Sequence, residues 1–184
     1  MVMAELIDLE EQVGRVWNPD MRPLAAEAFR CYSTGAARAC ITLTWVAVCA
    51  DLMEKFSRLA EEGEGDAVPL DQRIRQARGC TDTQAIQTMQ AIERTILDEA
   101  EKLDLIDPIE KRDLERLRED RNLCAHPSLR PLGEFHEPSL QYARTHLATA
   151  LASLLTHPPS QGRKALDRFR THVIDPNFTG DSGY

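Results

Sequence analysis

The amino-acid sequence predicts an all-α fold, in which about five to seven helices form one bundle and a single domain. Three observations favour this fold class. Apolar residues recur at helical spacing in one segment after another, no segment alternates polar and apolar residues as a strand would, and aromatic residues make up only 5% of the chain. A length of 184 residues fits one domain with a sizeable core, since domains usually have about 100 to 200 residues.

The predicted helices follow one another along the chain, and their boundaries come mainly from proline and glycine, which interrupt helices. The predicted helices are 4–17, 24–59 (one long helix, or two joined at 33–35), 70–77, 83–103, 108–126, 138–155 and 163–173, with a solvated acidic loop at 61–69. Residues 1–175 are therefore assigned to one helical domain. Residues 176–184 are rich in turn formers and are assigned to a flexible tail or a linker.

The predicted helix at 108–126 has the clearest start and stop signals. Asp107 suits the N-cap, and Pro108 suits the first helical position, where a missing N–H costs nothing. Pro127 ends the helix and biases His126 away from helical backbone torsions.

The distribution of charge limits the kinds of partner that the protein can bind. A formal net charge of −8 repels a polyanion unless basic side chains are gathered in one place, which disfavours a generic nucleic-acid binder. Residues 108–130 hold six Lys or Arg against five Asp or Glu, whereas the loop at 61–69 is strongly acidic. An anion site is therefore expected in 108–130.

Cysteine content and hydropathy indicate a reducing, cytoplasmic environment and no membrane role. The five cysteines are odd in number and form no CxxC pair, so neither a disulfide framework nor a zinc site is predicted. The most apolar stretch, 36–50, contains Arg38 and stops at Asp51, which makes it too short to cross a bilayer. The first residues do not resemble a secretory signal, because they carry acidic groups and no basic cluster.

The candidate site lies at the end of the helix that Pro127 stops. Position 121 falls on an apolar stripe with Leu117 and Cys124, and an arginine there is costly unless a partner or a ligand compensates its charge. His126 lies four residues from Asn122 but about 140° from Arg121 around an ideal helix. Arg121 and His126 therefore converge only if the helix end unwinds.

Residues 121–126, which read RNLCAH, resemble the R-x(4 to 6)-H motif of the HEPN superfamily, including the polar residue favoured directly after the arginine. The approach to the motif at 114–120 is also similar to members of that family. So is the earlier stretch 32–37, which leads into a buried helix that ends in an acid, Asp51. The resemblance covers residues 24–155 in helix order, and only the motif segment is close in residues.

This resemblance implies a helical bundle that forms a homodimer with its two motifs facing each other. It implies RNA cleavage without a metal, through attack of the ribose 2′-hydroxyl on the phosphate. His126 would act as general base or acid, because its unperturbed pKa is about 6.5, and Arg121 would bind the phosphate and stabilise its growing negative charge. Asn122 would orient His126 or bind a phosphate oxygen, and Arg118 would extend the RNA-binding surface.

The resemblance also implies a protein of the toxin or anti-phage defence type, held in check by an antitoxin or another regulatory protein. In relatives the buried helix can contribute supporting polar groups, a role that would fall to Asp51 here. No cofactor is expected, and the sequence has no cluster of Asp, Glu and His at metal-ligand spacing that would require a metal. The net acidity favours a restricted substrate such as a structured RNA.

Other interpretations of the same residues stay open. A histidine at a helix C-terminus is often structural, since its cationic form complements the helix dipole. Arg118 equally fits an ion pair with Glu115 or Asp120. In function, the alternatives are a non-catalytic HEPN module for dimerisation or partner binding, with Arg121 and His126 in a structural polar network, and a nucleotide-binding regulatory module.

Overall fold

A computed structural model describes residues 8–126 and 136–159 of the chain. Seven helices account for most of these residues, and no strand occurs among them, which confirms the all-α class and the expected number of helices. The helices are α1 (Leu9–Gly14), α2 (Arg22–Ser33), α3 (Ala37–Glu61), α4 (Val68–Ala77), α5 (Thr83–Lys102), α6 (Pro108–Ala125) and α7 (Leu140–Ala150), which continues into a π-helical turn, Leu151–Leu155. The predicted helix at 163–173 and the tail at 176–184 lie outside the described residues.

Helix α3 forms the centre of the bundle. It has 25 residues, which corresponds to a length of about 37 Å at 1.5 Å per residue, and it packs against α2, α4, α6 and α7. Large side chains are buried along its whole length, among them Ile41, Trp45 and Phe56. Helix α3 is thus packed on several sides, and both helices that line the cleft described below contact it. None of the described helices combines the length and the apolar character that a membrane-spanning segment needs.

The long apolar region at 24–59 consists of two helices in series. They meet at Gly35, whose φ of 81° lies in the left-handed region that side chains with a Cβ rarely adopt. The backbone N–H of Ala36 donates a 2.8 Å hydrogen bond to the carbonyl of Cys31, which closes the turn. This joint lets α2 fold back along α3.

The first helix ends earlier than its sequence pattern predicts, and residues 4–7 of the predicted helix lie outside the described residues. It begins at Leu9, where the Asp8 carboxylate accepts hydrogen bonds from the backbone N–H groups of the first turn, and it ends at Gly14. Trp17 was expected inside this helix, but its backbone N–H donates to the carbonyl of Leu155 and its indole N–H to Asp51. These long-range hydrogen bonds, together with the burial of Val16, outweigh one more helical turn.

Helix α6, which carries the motif, begins and ends where the sequence predicts. Asp107 and Glu110 form a complete capping box, in which each side chain accepts a hydrogen bond from the other residue's backbone N–H. Leu114 and Leu117 pack into the core. His126 is the C-cap and has an extended backbone, with φ of −98° and ψ of 115°, so the helix end unwinds at the residue where convergence requires it.

Beneath the π-helical turn lies a buried ion pair that the sequence analysis did not anticipate. Lys55 Nζ lies 2.6 Å from Asp51 Oδ2, and both side chains are at least 99% buried. Lys55 also donates a 2.7 Å hydrogen bond to the carbonyl of Leu154, and Trp17 donates a 2.6 Å hydrogen bond to Asp51 Oδ1. The pair therefore ties α3 to the residues after α1 and to the end of α7.

Candidate functional site

A polar cleft of about 540 Å³ lies where the last two turns of α6 face α5. It is lined by Gln90, Glu93, Arg94, Arg118, Arg121, Asn122, Ala125 and His126. All four motif-region residues singled out from the sequence, Arg118, Arg121, Asn122 and His126, therefore line one cleft. His126, the C-cap of α6, lines the cleft together with Arg121.

Arg121 is held by two side chains at the edge of this cleft. Its Nη2 lies 2.9 Å from Glu93 Oε1, and its Nη1 donates a 3.0 Å hydrogen bond to Asn122 Oδ1. The side chain keeps 27% of its surface exposed, so a ligand can reach it. Glu93, on α5, therefore compensates the charge that Arg121 places on the apolar stripe of α6.

Glu93 connects the cleft to the core. Its Oε1 also accepts a 2.6 Å hydrogen bond from the indole N–H of Trp45, a buried residue of α3. A carboxylate fixed by a buried indole restricts the rotamers of the arginine that pairs with it, because the hydrogen bond and the ion pair share one oxygen. Arg121 is therefore presented to the cleft from a rigid support.

His126 has a different environment from Arg121. Its residue is exposed, and its backbone N–H donates a 3.1 Å hydrogen bond to the carbonyl of Asn122. Within residues 8–126 and 136–159, no side chain forms a hydrogen bond or ion pair with its imidazole. With respect to the described residues, both ring nitrogens can exchange a proton with a bound molecule.

The cleft is electropositive in an otherwise acidic protein. Its lining contains three arginines, at 94, 118 and 121, against one carboxylate, Glu93. Arg118 donates a 3.1 Å hydrogen bond to the carbonyl of Arg94 and lies 4.0 Å from Glu115, so the predicted ion pair with Glu115 is present and is long. Arg94 is exposed and has no acidic partner among the described residues. An anion is the ligand that this charge distribution favours.

Asp51 and Asn122 have defined contacts in the structure. Asp51 is buried beside Lys55 and Trp17 and does not line the cleft. The side-chain oxygen of Asn122 accepts a hydrogen bond from Arg121, and its side chain has no hydrogen bond to His126 among the described residues. The supporting roles expected for Asp51 and Asn122 stay predictions.

The contribution of α5 to the cleft is not predicted by the sequence pattern. Glu93, Arg94 and Gln90 line the cleft, and each stands on a helix whose apolar pattern predicts only that it packs in the bundle. The 2.8 Å contact between Asp120 Oδ2 and His146 Nε2 is not predicted either. It joins α6 to α7 directly before the motif. Local spacing in the sequence does not indicate the contacts of Glu93 with Arg121 and of Asp120 with His146, because each contact joins two helices that meet only after folding.

A second, apolar groove of about 710 Å³ lies on the other side of the α6 end, along the start of α3. We call the apolar surface beside it the α3–α6 patch, which comprises Ala39, Leu43, Val46, Leu123 and Cys124. Burial raises the pKa of the Cys124 thiol, which therefore stays protonated and is a poor nucleophile. In the described ranges, no three His, Cys, Asp or Glu residues are grouped so that they could hold a metal ion.

Comparison with known proteins adds no relative to these observations. No family model, no curated protein and no solved structure matches this chain.

Proposed function

We propose that the protein is a metal-independent endoribonuclease of the HEPN type, which cleaves RNA in the cleft between α5 and α6. The observation that carries this proposal is the presence of Arg121 and His126 in one electropositive cleft, with the helix end unwound at His126. An arginine fixed by a buried support can stabilise the charge that develops on the phosphate, and a histidine whose imidazole has no side-chain partner among the described residues can transfer the proton of the 2′-hydroxyl.

The chemistry assigns one step to each side chain. The imidazole of His126 takes the proton of the ribose 2′-hydroxyl, the 2′-oxygen forms a bond to phosphorus, and the bond to the 5′-oxygen breaks. Arg121 holds the non-bridging oxygens of the phosphate with its planar guanidinium and stabilises the additional negative charge of the transition state. The leaving 5′-oxygen takes a proton, and the products are a 2′,3′-cyclic phosphate and a 5′-hydroxyl.

A second copy of the chain supplies the second acid–base group in this proposal. One imidazole cannot remove a proton and donate one at the same instant, whereas two motifs facing each other provide one histidine for each task. The α3–α6 patch supports such a homodimer, because Leu123, within the motif, and Val46, on α3, are exposed apolar residues. Exposed apolar patches beside a functional site are typical of interaction surfaces.

The arginine substitution Val46→Arg is expected to weaken the homodimer by about 30-fold or more, since an unpaired charge buried in an interface costs about 2 to 5 kcal/mol. Val46 is 39% exposed, so the fold should survive, and a positive charge does not repel RNA. Light scattering after size-exclusion chromatography measures the dimer, and cleavage should fall with it. Ile109→Arg is the matched control, because Ile109 is 74% exposed at the far end of α6. Unchanged dimerisation of the Val46 variant would contradict this interface.

Arg94 tests the electrostatic part of the proposal. If it contacts one RNA phosphate, Arg94→Ala should lower the slope of log affinity against log salt by about 1 and weaken binding by a similar factor for every RNA sequence. Fluorescence anisotropy with a labelled RNA between 50 and 200 mM salt, concentrations over which phosphate contacts dominate affinity, measures the slope. Arg112→Ala, an exposed residue of α6 that does not line the cleft, should leave the slope unchanged. An unchanged slope in the Arg94 variant would remove Arg94 from the RNA-binding surface.

The proposed activity is tested by incubating purified protein with total cellular RNA in excess chelator. Discrete RNA fragments are expected, because no step of the mechanism requires a metal. Fragments that disappear on addition of chelator would contradict the proposal, as would an intact RNA population at protein concentrations where the dimer forms.

A non-catalytic module for dimerisation or partner binding is the second candidate function. The contact that favours it is the ion pair between Arg121 and Glu93, which satisfies the arginine without any ligand. If this candidate function is correct, the unsubstituted protein does not cleave RNA. The Arg121→Ala variant then has a lower melting temperature and still forms the dimer.

A further inference from the structure

An apolar pocket adjoins the polar cleft. It has a volume of about 260 Å³ and lies between α3, α4 and α5. It is lined by Cys49, Met53, Ala77, Cys80, Ala85, Ile86, Met89, Gln90 and Glu93. Gln90 and Glu93 also line the cleft, so the two cavities meet at these side chains.

Cys49 of α3 lines this pocket beside Glu93. Burial is the main cause that raises the pKa of the Cys49 thiol, the charge of Glu93 raises it further, and the charges of Arg121 and Arg118 lower it. A thiol in these surroundings stays neutral. It therefore adds an apolar, polarisable side chain to a pocket that shares Glu93, the partner of Arg121, with the cleft.

At the junction of the two cavities, the two carboxylate oxygens of Glu93 differ in their contacts. Glu93 Oε1 accepts a hydrogen bond from Trp45 and forms the ion pair with Arg121, whereas Oε2 has no hydrogen-bond partner among the described residues. The side chain of Gln90 is exposed at the same junction. The junction thus offers a carboxylate oxygen as acceptor and an amide as donor or acceptor.

We propose that this pocket receives the nucleobase of a nucleotide whose phosphate lies at Arg121, and that Glu93 selects bases with an amino group. The inference rests on the proposed ribonuclease function and names its substrate preference. Adenine, cytosine and guanine carry an exocyclic amino group with two N–H donors for the carboxylate oxygen, whereas uracil offers only its N3–H, which lies between two carbonyl oxygens that the carboxylate repels. The faces of the base contact the aliphatic and thioether side chains of Ile86, Met53 and Met89, and a phosphate beside arginines fixes the other end.

A measurement of binding separates this pocket from cleavage. Adenosine, cytidine and uridine 5′-monophosphates and ribose 5-phosphate, which lacks a base, are titrated into the full-length protein by calorimetry. The adenosine and cytidine nucleotides should bind at least about fivefold more tightly than ribose 5-phosphate, the lower end of what contact with one base contributes, and more tightly than the uridine nucleotide. Equal affinities, or no measurable binding by any of the four, would overturn the inference.

Two variants assign this difference to the pocket. Ala85→Leu fills it from the first turn of α5, and Ile86→Ala removes part of its wall at a residue that is 53% exposed and therefore contributes little to folding. Each should abolish the preference for the base and leave the binding of ribose 5-phosphate unchanged, whereas Leu140→Ala, at an exposed residue of α7, should change neither. A base preference that survives in both folded variants would place the base elsewhere and overturn the inference.

The outcomes of the two experiments are distinguishable. Chelator-resistant cleavage of RNA, together with no preference for nucleotides over ribose 5-phosphate, would leave the ribonuclease in place and remove the base pocket. Base-dependent nucleotide binding without cleavage of any RNA would retain the pocket and remove the ribonuclease.

Discussion

Replacing Arg121 by alanine is expected to lower the rate of RNA cleavage by about 100- to 1,000-fold, the range for loss of one donor to a developing negative charge. The guanidinium is held at the cleft by Glu93 and Asn122, and no other side chain of the cleft has both supports. Arg121→Lys should recover little, because a lysine ammonium cannot form the paired hydrogen bonds of the guanidinium. The rate of cleavage of a labelled RNA under single-turnover conditions measures the effect.

Replacing His126 by alanine is expected to lower the rate by about 100- to 10,000-fold, the range for loss of a general acid or base. Because His126 is exposed and its imidazole has no side-chain partner among the described residues, this variant should keep its melting temperature. His157→Ala is the matched control, since His157 is also an exposed histidine at the end of a helical segment, and Arg112→Ala is the control for Arg121. Rates within tenfold of the unsubstituted protein in either motif variant would contradict the assigned roles.

The largest expected effect on stability comes from the buried ion pair between Asp51 and Lys55. Burial raises the pKa of Asp51 and lowers the pKa of Lys55, while the contact between the two charges opposes both shifts. Lys55→Met removes one partner and leaves the other charge buried, which costs about 3 to 5 kcal/mol of unfolding free energy. The hydrogen bond to the carbonyl of Leu154 is lost as well.

Urea denaturation followed by circular dichroism measures this loss. Lys102→Met is the matched control, because Lys102 forms an exposed ion pair with Glu99 that contributes less than about 1 kcal/mol. The double variant Asp51→Leu/Lys55→Met should be more stable than Lys55→Met alone, since no uncompensated charge is then buried. A loss of less than about 1 kcal/mol of unfolding free energy in Lys55→Met would show that water reaches the ion pair despite its burial.

Much of the fold follows from local signals in the sequence. The capping box at Asp107, the proline after it and the glycine at position 35 act through their own backbone neighbours, so their effects can be predicted without knowledge of the tertiary structure. Helix α7 shows the limit of this approach, because it begins after Ser139 instead of at Pro138. The Ser139 hydroxyl accepts a hydrogen bond from the backbone N–H of Tyr142, and this cap determines the start of the helix.

The sequence indicates which residues of α6 line the cleft, but not which residues of α5 do. Arg121, Asn122 and His126 lie within six residues of each other, so their spacing can be evaluated on one helix. Glu93 contacts Arg121 only because α5 and α6 pack side by side, and nothing in the neighbourhood of Glu93 in the sequence indicates that contact. Asp51 illustrates the same limit, because its position on α3 is clear from the sequence, whereas its partner Trp17 comes from the chain after α1.

The most direct test of the central claim is the chemistry of the cleaved ends. A short RNA that the protein cleaves is incubated with the protein in excess chelator. A parallel reaction contains the same RNA with one 2′-deoxyribose on the 5′ side of the cleaved bond. The masses of the products are determined by mass spectrometry. A 2′,3′-cyclic phosphate end on the RNA, and no cleavage at the deoxyribose, is the predicted result. Cleavage at the deoxyribose, or a product that never passes through a cyclic phosphate, would contradict attack by the 2′-hydroxyl and with it the roles of Arg121 and His126.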